Sequence, residues 1–219
     1  MRTANIHSHA FEASRDGFCG RVDLRTAEVD HRVANSLSLA ATMLRMQREQ
    51  TSDCAVRTAI LSAETRIVSI AKFHAYLNRC RSDERVNLAD FFRELLPEIG
   101  AATGVRCLLA VNASRALDVS KRMARQLIII VNELALNSRK HGYNGWEGGC
   151  ISIELDVDGE NRLKIRFADS GAGLPDDFDP ENGSGLGLRI VSSLVCELGG
   201  SLASHTDGGA HFTIAIPVD

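Results

Sequence analysis

Apolar positions between about Leu24 and Arg48 recur at helical spacing: Val33, Leu37, Ala40 and Leu44 stand four, three and four residues apart and lay one stripe along one helix. The polar run Gln50, Thr51, Ser52, Asp53 interrupts the stripe and supplies N-cap chemistry. Beyond it, Val56, Ile60, Ala63, Ile67, Ile70, His74 and Leu77 continue a heptad-like alternation that predicts a second helix. Two long amphipathic helices joined by a short loop form a hairpin, and a lone hairpin cannot enclose its apolar seam on all sides. The expectation is a pairing of two copies as a four-helix bundle; the alternative is that the seam packs against the rest of the same chain.

After the polar stretch Arg81, Ser82, Asp83, Glu84, Arg85 the pattern changes to alternating helices and strands, which places a domain boundary near residues 80 to 86. Helices are predicted at about 88–102, 119–141 and 185–198. Strands are predicted at about 105–112, 150–157, 162–169, 200–206 and 210–217, where β-branched and apolar residues alternate between Gly, Asp and Asn breakers. The late strands run hairpin-like, so the fold class is α+β, with a sandwich rather than a doubly wound parallel sheet behind the hairpin. The division expected is an N-terminal segment 1–23, a helical hairpin 24–80 and a second domain 87–219.

At 219 residues with 44% hydrophobic content the chain reads as folded, and a net charge of -3 gives no basic field for nucleic acid. No run approaches a membrane span and the first residues lack a signal-peptide core, so the expected location is the cytoplasm, with no membrane partner. Six cysteines lie far apart without a CxxC pair and read as reduced, mostly buried small hydrophobes.

Candidate chemistry falls in three clusters of the second domain. In the first, Glu133, Asn137 and Lys140 are spaced by four and three on a helix, with Asn132 and His141 beside them. Their carboxylate, amide oxygen and cation suit a hydrated divalent metal and phosphate oxygens, although an exposed polar helix face would look the same. In the second, Asp169 closes an apolar strand and precedes Gly171 and Gly173, where the backbone could approach a flat ligand or simply turn. In the third, Gly183, Gly185, Leu186 and Gly187 open a helix whose N-terminus could receive a polyphosphate. No Walker-type loop and no dinucleotide fingerprint occur.

Taken in order, these clusters resemble the N, G1 and G2 boxes of the ATPase superfamily that contains gyrase, heat-shock chaperones, the mismatch-repair ATPase and histidine kinases. The resemblance implies ATP with Mg2+: Asn137 as metal ligand, Lys140 and His141 near the phosphates, Asp169 accepting from the adenine amino group, and the glycines forming a short lid. The segment Glu28, Val29, Asp30, His31, Arg32, Val33, Ala34, Asn35 resembles the phosphoacceptor box of the HRxxN histidine kinases, and Leu88 to Leu95 looks like that family's inter-domain helix. That family has lysine commonly at the place of Ala34 and a second asparagine at that of Ser36, and the superfamily usually has threonine where Ala210 stands.

By that resemblance His31 takes a phosphoryl group from Mg-ATP and hands it to an aspartate of a response regulator's receiver domain. A neutral imidazole is nucleophilic near pH 7. Glu28, three residues earlier, is the preferred partner for its second ring nitrogen, with Asp30 as alternative; Arg32 and Asn35 would steer the triphosphate or the partner aspartate. Rival readings are a histidine phosphotransferase without kinase activity and an anti-sigma-type ATP-binding protein. The few residues before the hairpin are too short for a sensor domain, so a separate sensor protein or a domain upstream would supply the signal.

Overall fold

The computed structural model describes residues 16–79, 85–112, 117–143, 148–176, 178–179 and 185–218. The predicted hairpin is present as helix α1, Asp16–Gln50, and helix α2, Cys54–Arg79. Helix α1 starts earlier than the predicted stripe. The turn follows the expected cap chemistry: Asp53 Oδ1 accepts the backbone N–H of Ala55 at 2.8 Å and of Val56 at 3.2 Å.

Burial within the hairpin departs from the heptad reading. Val33, Leu37, Ala40 and Leu44 are only half-buried, as are Ile60, Ala63, Ile67 and Ile70, while Ala34, Ala41, Ala71 and Phe73 are buried. Helix α2 serves two neighbours, α1 and the second lobe, so its buried positions divide into two sets, Glu64 and Ala71 toward α1 and Phe73 and Tyr76 toward the lobe. Buried Glu64 receives Arg45 Nε at 2.8 Å and Arg48 Nε at 3.0 Å, which ties the two helices together near the turn.

The second lobe opens with strand β1, Arg85–Asn87, followed by helix α3, Leu88–Thr103. Arg85 and Val86 thus already belong to a strand inside the predicted boundary region, and residues 80–84 lie outside the described residues. Asn87 caps α3 by accepting from Asp90 N, and Gly104 ends it in the left-handed conformation, φ 70°. There follow β2 (Arg106–Val111), β3 (Asp118–Ser120), α4 (Lys121–Asn137), a π-helical turn (Ser138–Gly142), β4 (Cys150–Val157), β5 (Arg162–Asp169), α5 (Leu186–Glu197), β6 (Ser201–Thr206) and β7 (Ala210–Pro217).

The main sheet has the order β2-β4-β5-β7-β6; β2 and β4 are parallel and the other pairs antiparallel. The short strands β1 and β3, not predicted, pair with each other through Val86 and Val119, both buried. Alternation sorts the sheet's faces. Ile151, Ile153, Leu155, Leu163, Ile165, Phe167, Ile214 and Ile216 point into a core with Leu127, Ile130 and Leu134 of α4 and Val191 of α5. Ser152, Glu154 and Arg166 line the open face, where Arg166 pairs with Glu154 at 2.9 Å. Each large side chain buried in this way contributes about 2 kcal/mol. The result is the α/β sandwich expected of the second domain.

The thiols are more accessible than composition suggested: Cys54 and Cys196 are exposed and Cys107 and Cys150 half-buried, with Cys19 and Cys80 outside the described side chains. Burial pushes the Cys107 thiol up to about 11, so it stays protonated and inert.

The β4–β5 turn supplies a pH test. Asp158 accepts the backbone N–H of Arg162 and of Glu160 through Oδ1 and pairs with Lys164 and Arg162 through Oδ2. These contacts, the Arg162 N–H foremost, lower its carboxyl from 3.8 to about 2. A lowered folded-state pKa means that the turn's stabilisation is present above the ordinary value and is lost as pH falls through about 2. Carboxyl titration by NMR should place the Asp158 midpoint well under the ordinary value; a midpoint at 3.8 would contradict the turn geometry.

Candidate active site

Helix α4 carries the first cluster, and its polar residues are not on an exposed face. Glu133 is 1% exposed and Asn132 fully buried, whereas Asn137 is half-buried. Gly187, in the first turn of α5, faces this pair: a Cβ added there would lie 2.7 Å from Glu133 Oε2 and 3.4 Å from Asn137 Oδ1. Glycine is therefore what lets α5 approach these two side chains. Among the described residues neither side-chain polar atom of Asn132 has a hydrogen-bond partner. The sequence pattern places Glu133 and Asn137 in one box and Gly187 in another; the fold brings the two boxes together.

The helix predicted to run to residue 141 ends as an α-helix at Asn137 and continues as the π-helical turn. Ser138 explains the change. Its hydroxyl donates to Asp169 Oδ2 at 2.6 Å and lies 3.1 Å from Leu134 O, and the wider turn closes with Tyr143 N–H on Ser138 O at 3.1 Å. The turn brings Gly142 against Gly171, where a Cβ on Gly171 would lie 2.5 Å from the Gly142 Cα. Lys140 and His141 leave the α-helical register shared by Glu133 and Asn137 and are exposed.

Asp169 is the hub of the second cluster. Its Oδ1 accepts the backbone N–H of Gly171 and of Ala210, each at 2.9 Å, and its Oδ2 accepts from Ser138. It is 7% exposed, and Oδ2 retains capacity for one more donor. Gly173, φ 81°, sits beside Thr206 of β6, and the Thr206 hydroxyl accepts the Leu174 N–H at 3.0 Å. Gly185 is the N-cap of α5 and Leu186 is 66% exposed at its start; Gly183 lies outside the described residues. Partial desolvation of the ring, and next the Lys140 charge, lowers the His141 pKa from 6.5.

His31, Arg32 and Asn35 are exposed on α1, and the side chain of Glu28 lies outside the described residues. His31 Nδ1 stands 3.4 Å from the Asn35 side-chain amide nitrogen. His31 opens onto a groove of about 530 Å³ lined also by Asn35, Ser38, Thr42, Arg45 and Lys72.

Two residues escaped the sequence reading. Ser138 had a signal, its place beside Asn137. Arg66 had none: it lies in the second helix amid apolar positions, yet its guanidinium engages Glu133 with both Nε and Nη2, the latter 2.6 Å from Oε2. That bond raises the Arg66 pKa further above its ordinary value.

Similarity to known proteins bears on the same elements. Residues 28–103 match HisKA_2, a histidine kinase family, and residues 123–219 match the histidine kinase-, DNA gyrase B- and HSP90-like ATPases. The chain is 33% identical over 201 residues to the sensor histidine kinase PdtaS of Mycolicibacterium smegmatis, covering 90% of this chain and 40% of that protein. Identity to blue-light-activated histidine kinase 2 of Erythrobacter litoralis is 27%, over 90% of this chain and 57% of that one. The histidine kinase domain of an Erythrobacter litoralis blue-light-activated kinase has the same fold, with a TM-score of 0.63 at 23% identity, covering 91% of this chain and 93% of that one. The chain spans about 40% of the length of its PdtaS relatives. Among the described residues no helix is long and apolar enough to cross a membrane. The hairpin and the lobe behind it thus belong, in this order, to the HisKA_2 histidine kinases and to the histidine kinase-, DNA gyrase B- and HSP90-like ATPases.

Proposed function

We propose that the protein is an ATP-dependent protein-histidine kinase in which His31 receives the terminal phosphoryl group of Mg-ATP and passes it to an aspartate of a response-regulator receiver domain. The observation that carries this reading is the convergence of Glu133, Asn137 and Gly187 on one side of α4 and of Asp169, Ser138, Gly142 and Gly171 at its end. Such a cradle suits a nucleotide: backbone approaches closely at the two glycines, and the free capacity of Asp169 Oδ2 fits one exocyclic amine donor. Among the described residues no group of three or more His, Cys, Asp or Glu could cage a metal. As the family resemblance implies, Mg2+ would be held by Asn137 together with phosphate oxygens and water, and would supply charge neutralisation when bound.

Lys140 and His141 on the π-helical turn would lie near the phosphates. Phosphoryl acceptance by His31 requires a lone pair on the ring nitrogen that faces the phosphorus and a proton held on the other. The Asn35 amide is positioned to hold that proton, since with its oxygen toward Nδ1 it would accept the Nδ1–H and leave Nε2 as the nucleophile. Glu28 would share this role, and Arg32 would steer phosphate or receiver. The functional division follows the sequence pattern, with residues 24–80 as dimerisation and phosphotransfer hairpin, 87–219 as catalytic lobe and 1–23 as a preceding segment, acting in the cytoplasm.

A second copy would cover the hairpin. Val29, Leu39, Met43 and Met46 of α1 are each more than half exposed and lie within roughly 100° of one another around the helix. Four large apolar groups on one face of one helix favour a dimeric four-helix bundle.

Incubation with γ-labelled ATP and Mg2+ should place acid-labile, base-stable phosphate on the chain, absent in His31→Ala; label persisting in that variant, or acid-stable label on a partner's serine, would overturn the reading. Leu39→Glu combined with Met43→Glu should convert a dimer to a monomer in sedimentation equilibrium, and a wild-type chain that sediments as a monomer would refute the bundle. NMR titration of His141 should show a midpoint below 6.5 that rises with Mg-ADP, because a bound phosphate favours the imidazolium. Nucleotide affinity should accordingly increase as pH falls through that midpoint; a midpoint indifferent to Mg-ADP would remove His141 from the phosphate site.

A further inference from the structure

The hairpin reaches into the nucleotide lobe at the residue that lobe can least share. Glu133, buried beside Asn137 and Gly187, has both carboxylate oxygens bonded to the Arg66 guanidinium of α2. Arg66, Phe73 and Tyr76, at spacings of seven and three, lie on the face of α2 that meets the lobe. The Phe73 and Tyr76 rings pack edge-on against Phe91 of α3 at 5.5 and 4.8 Å, and Lys72 bonds Glu98 of α3 at 2.9 Å.

His31 looks elsewhere. On α2 its groove is lined by Val68, Ala71, Lys72 and Ala75, a stripe centred roughly 130° around the helix from the docking face. The Arg45–Glu64 pair fixes the antiparallel hairpin so that His31 stands near the level of Asn78, twelve residues and about 18 Å beyond Arg66. Docked as it is, the nucleotide lobe meets the edge of the His31 groove through Lys72, and among the described residues none of the lobe lines the groove.

We propose that Arg66 is a latch that parks the nucleotide lobe away from His31 and is displaced when Mg-nucleotide takes up Glu133 and Asn137. This rests on the kinase reading. A carboxylate removed from water must keep a cationic or hydrogen-bonding partner, and a bidentate guanidinium uses both oxygens. A hydrated Mg2+ held at Asn137 competes for the same carboxylate and repels the same guanidinium, so nucleotide and latch exclude each other. Release frees α4 from α2 and lets the lobe move along the hairpin toward His31. While the latch is closed, apparent nucleotide affinity is lowered by the fraction of chains that are parked.

The test uses the full chain with Arg66→Gln and, separately, Arg66→Lys, titrated with a fluorescent ADP analogue in Mg2+. Spin labels at exposed Thr58 of α2 and Arg122 of α4, in a background without reactive cysteines, report the distance between hairpin and lobe. Arg66→Gln should tighten nucleotide binding by about threefold or more and speed His31 labelling at subsaturating ATP. Arg66→Lys, a cation without the planar fork, should fall between it and the unaltered chain. Mg-ADP should shift the label distance in the unaltered chain toward that of Arg66→Gln. Weaker binding in Arg66→Gln would make Arg66 a phosphate contact and overturn the latch, as would unchanged affinity and unchanged label distance. Should Arg66→Gln fail to fold, the same readings on Arg66→Lys decide. Tighter nucleotide binding in the variants with no phosphate on His31 in any chain would keep the latch and refute the kinase.

Discussion

Two carboxylates withdrawn from water, Glu133 and Asp169, set the terms on which the rest of the second lobe is arranged. A buried carboxylate left without partners costs several kcal/mol, so each must recruit donors from whatever chain lies within reach. Asp169 recruits the Gly171 and Ala210 amides and the Ser138 hydroxyl, and through Ser138 it draws the end of α4 into a π-helical turn. Glu133 recruits Arg66, and through Arg66 it fixes where the hairpin meets the lobe. A local backbone irregularity and a contact between two lobes thus have one electrostatic cause.

What could be read from the sequence divides along the same line. Strands β4, β5 and β7 match their predicted limits because a two-residue alternation is strict: a slip of one residue would turn every apolar group to solvent. The end of α4 was not legible, since Asn137, Ser138, Arg139, Lys140 and His141 carry no local signal against a continuing α-helix, and the wider turn is imposed by Asp169, 31 residues away. Strands β1 and β3 were missed because three residues each are too short for alternation to show.

The candidate site was legible as an ordered set of boxes, but not as geometry. Spacing put Glu133 and Asn137 on one face of a helix, and the structure keeps them together; it could not show that Gly187 packs on both or that Arg66 reaches Glu133 across 67 residues of sequence. Heptad reasoning assigned α2 one apolar stripe, which suits a helix with one neighbour. This helix has two within the chain, and its positions are shared between them.

The hairpin raises a problem that its apolar residues do not solve. Ala34, Ala41, Ala71 and Ala75 face one another along much of the α1–α2 contact, and small side chains offer little interdigitation to stop one helix sliding on the other. Near the turn, the buried Glu64 accepts from Arg45 and Arg48 together, and a slide of one helical turn, about 5.4 Å, would break both bonds and strand the carboxylate. The clamp lies far from His31, yet helices transmit register rigidly along their axes. It therefore decides which residues of α2 stand opposite His31, and at what distance along α2 the Arg66 contact is made. A charge pair chosen for packing alone would be a poor exchange for well-fitted leucines; as the element that sets the position of His31 relative to Arg66, it has a role that leucines could not fill.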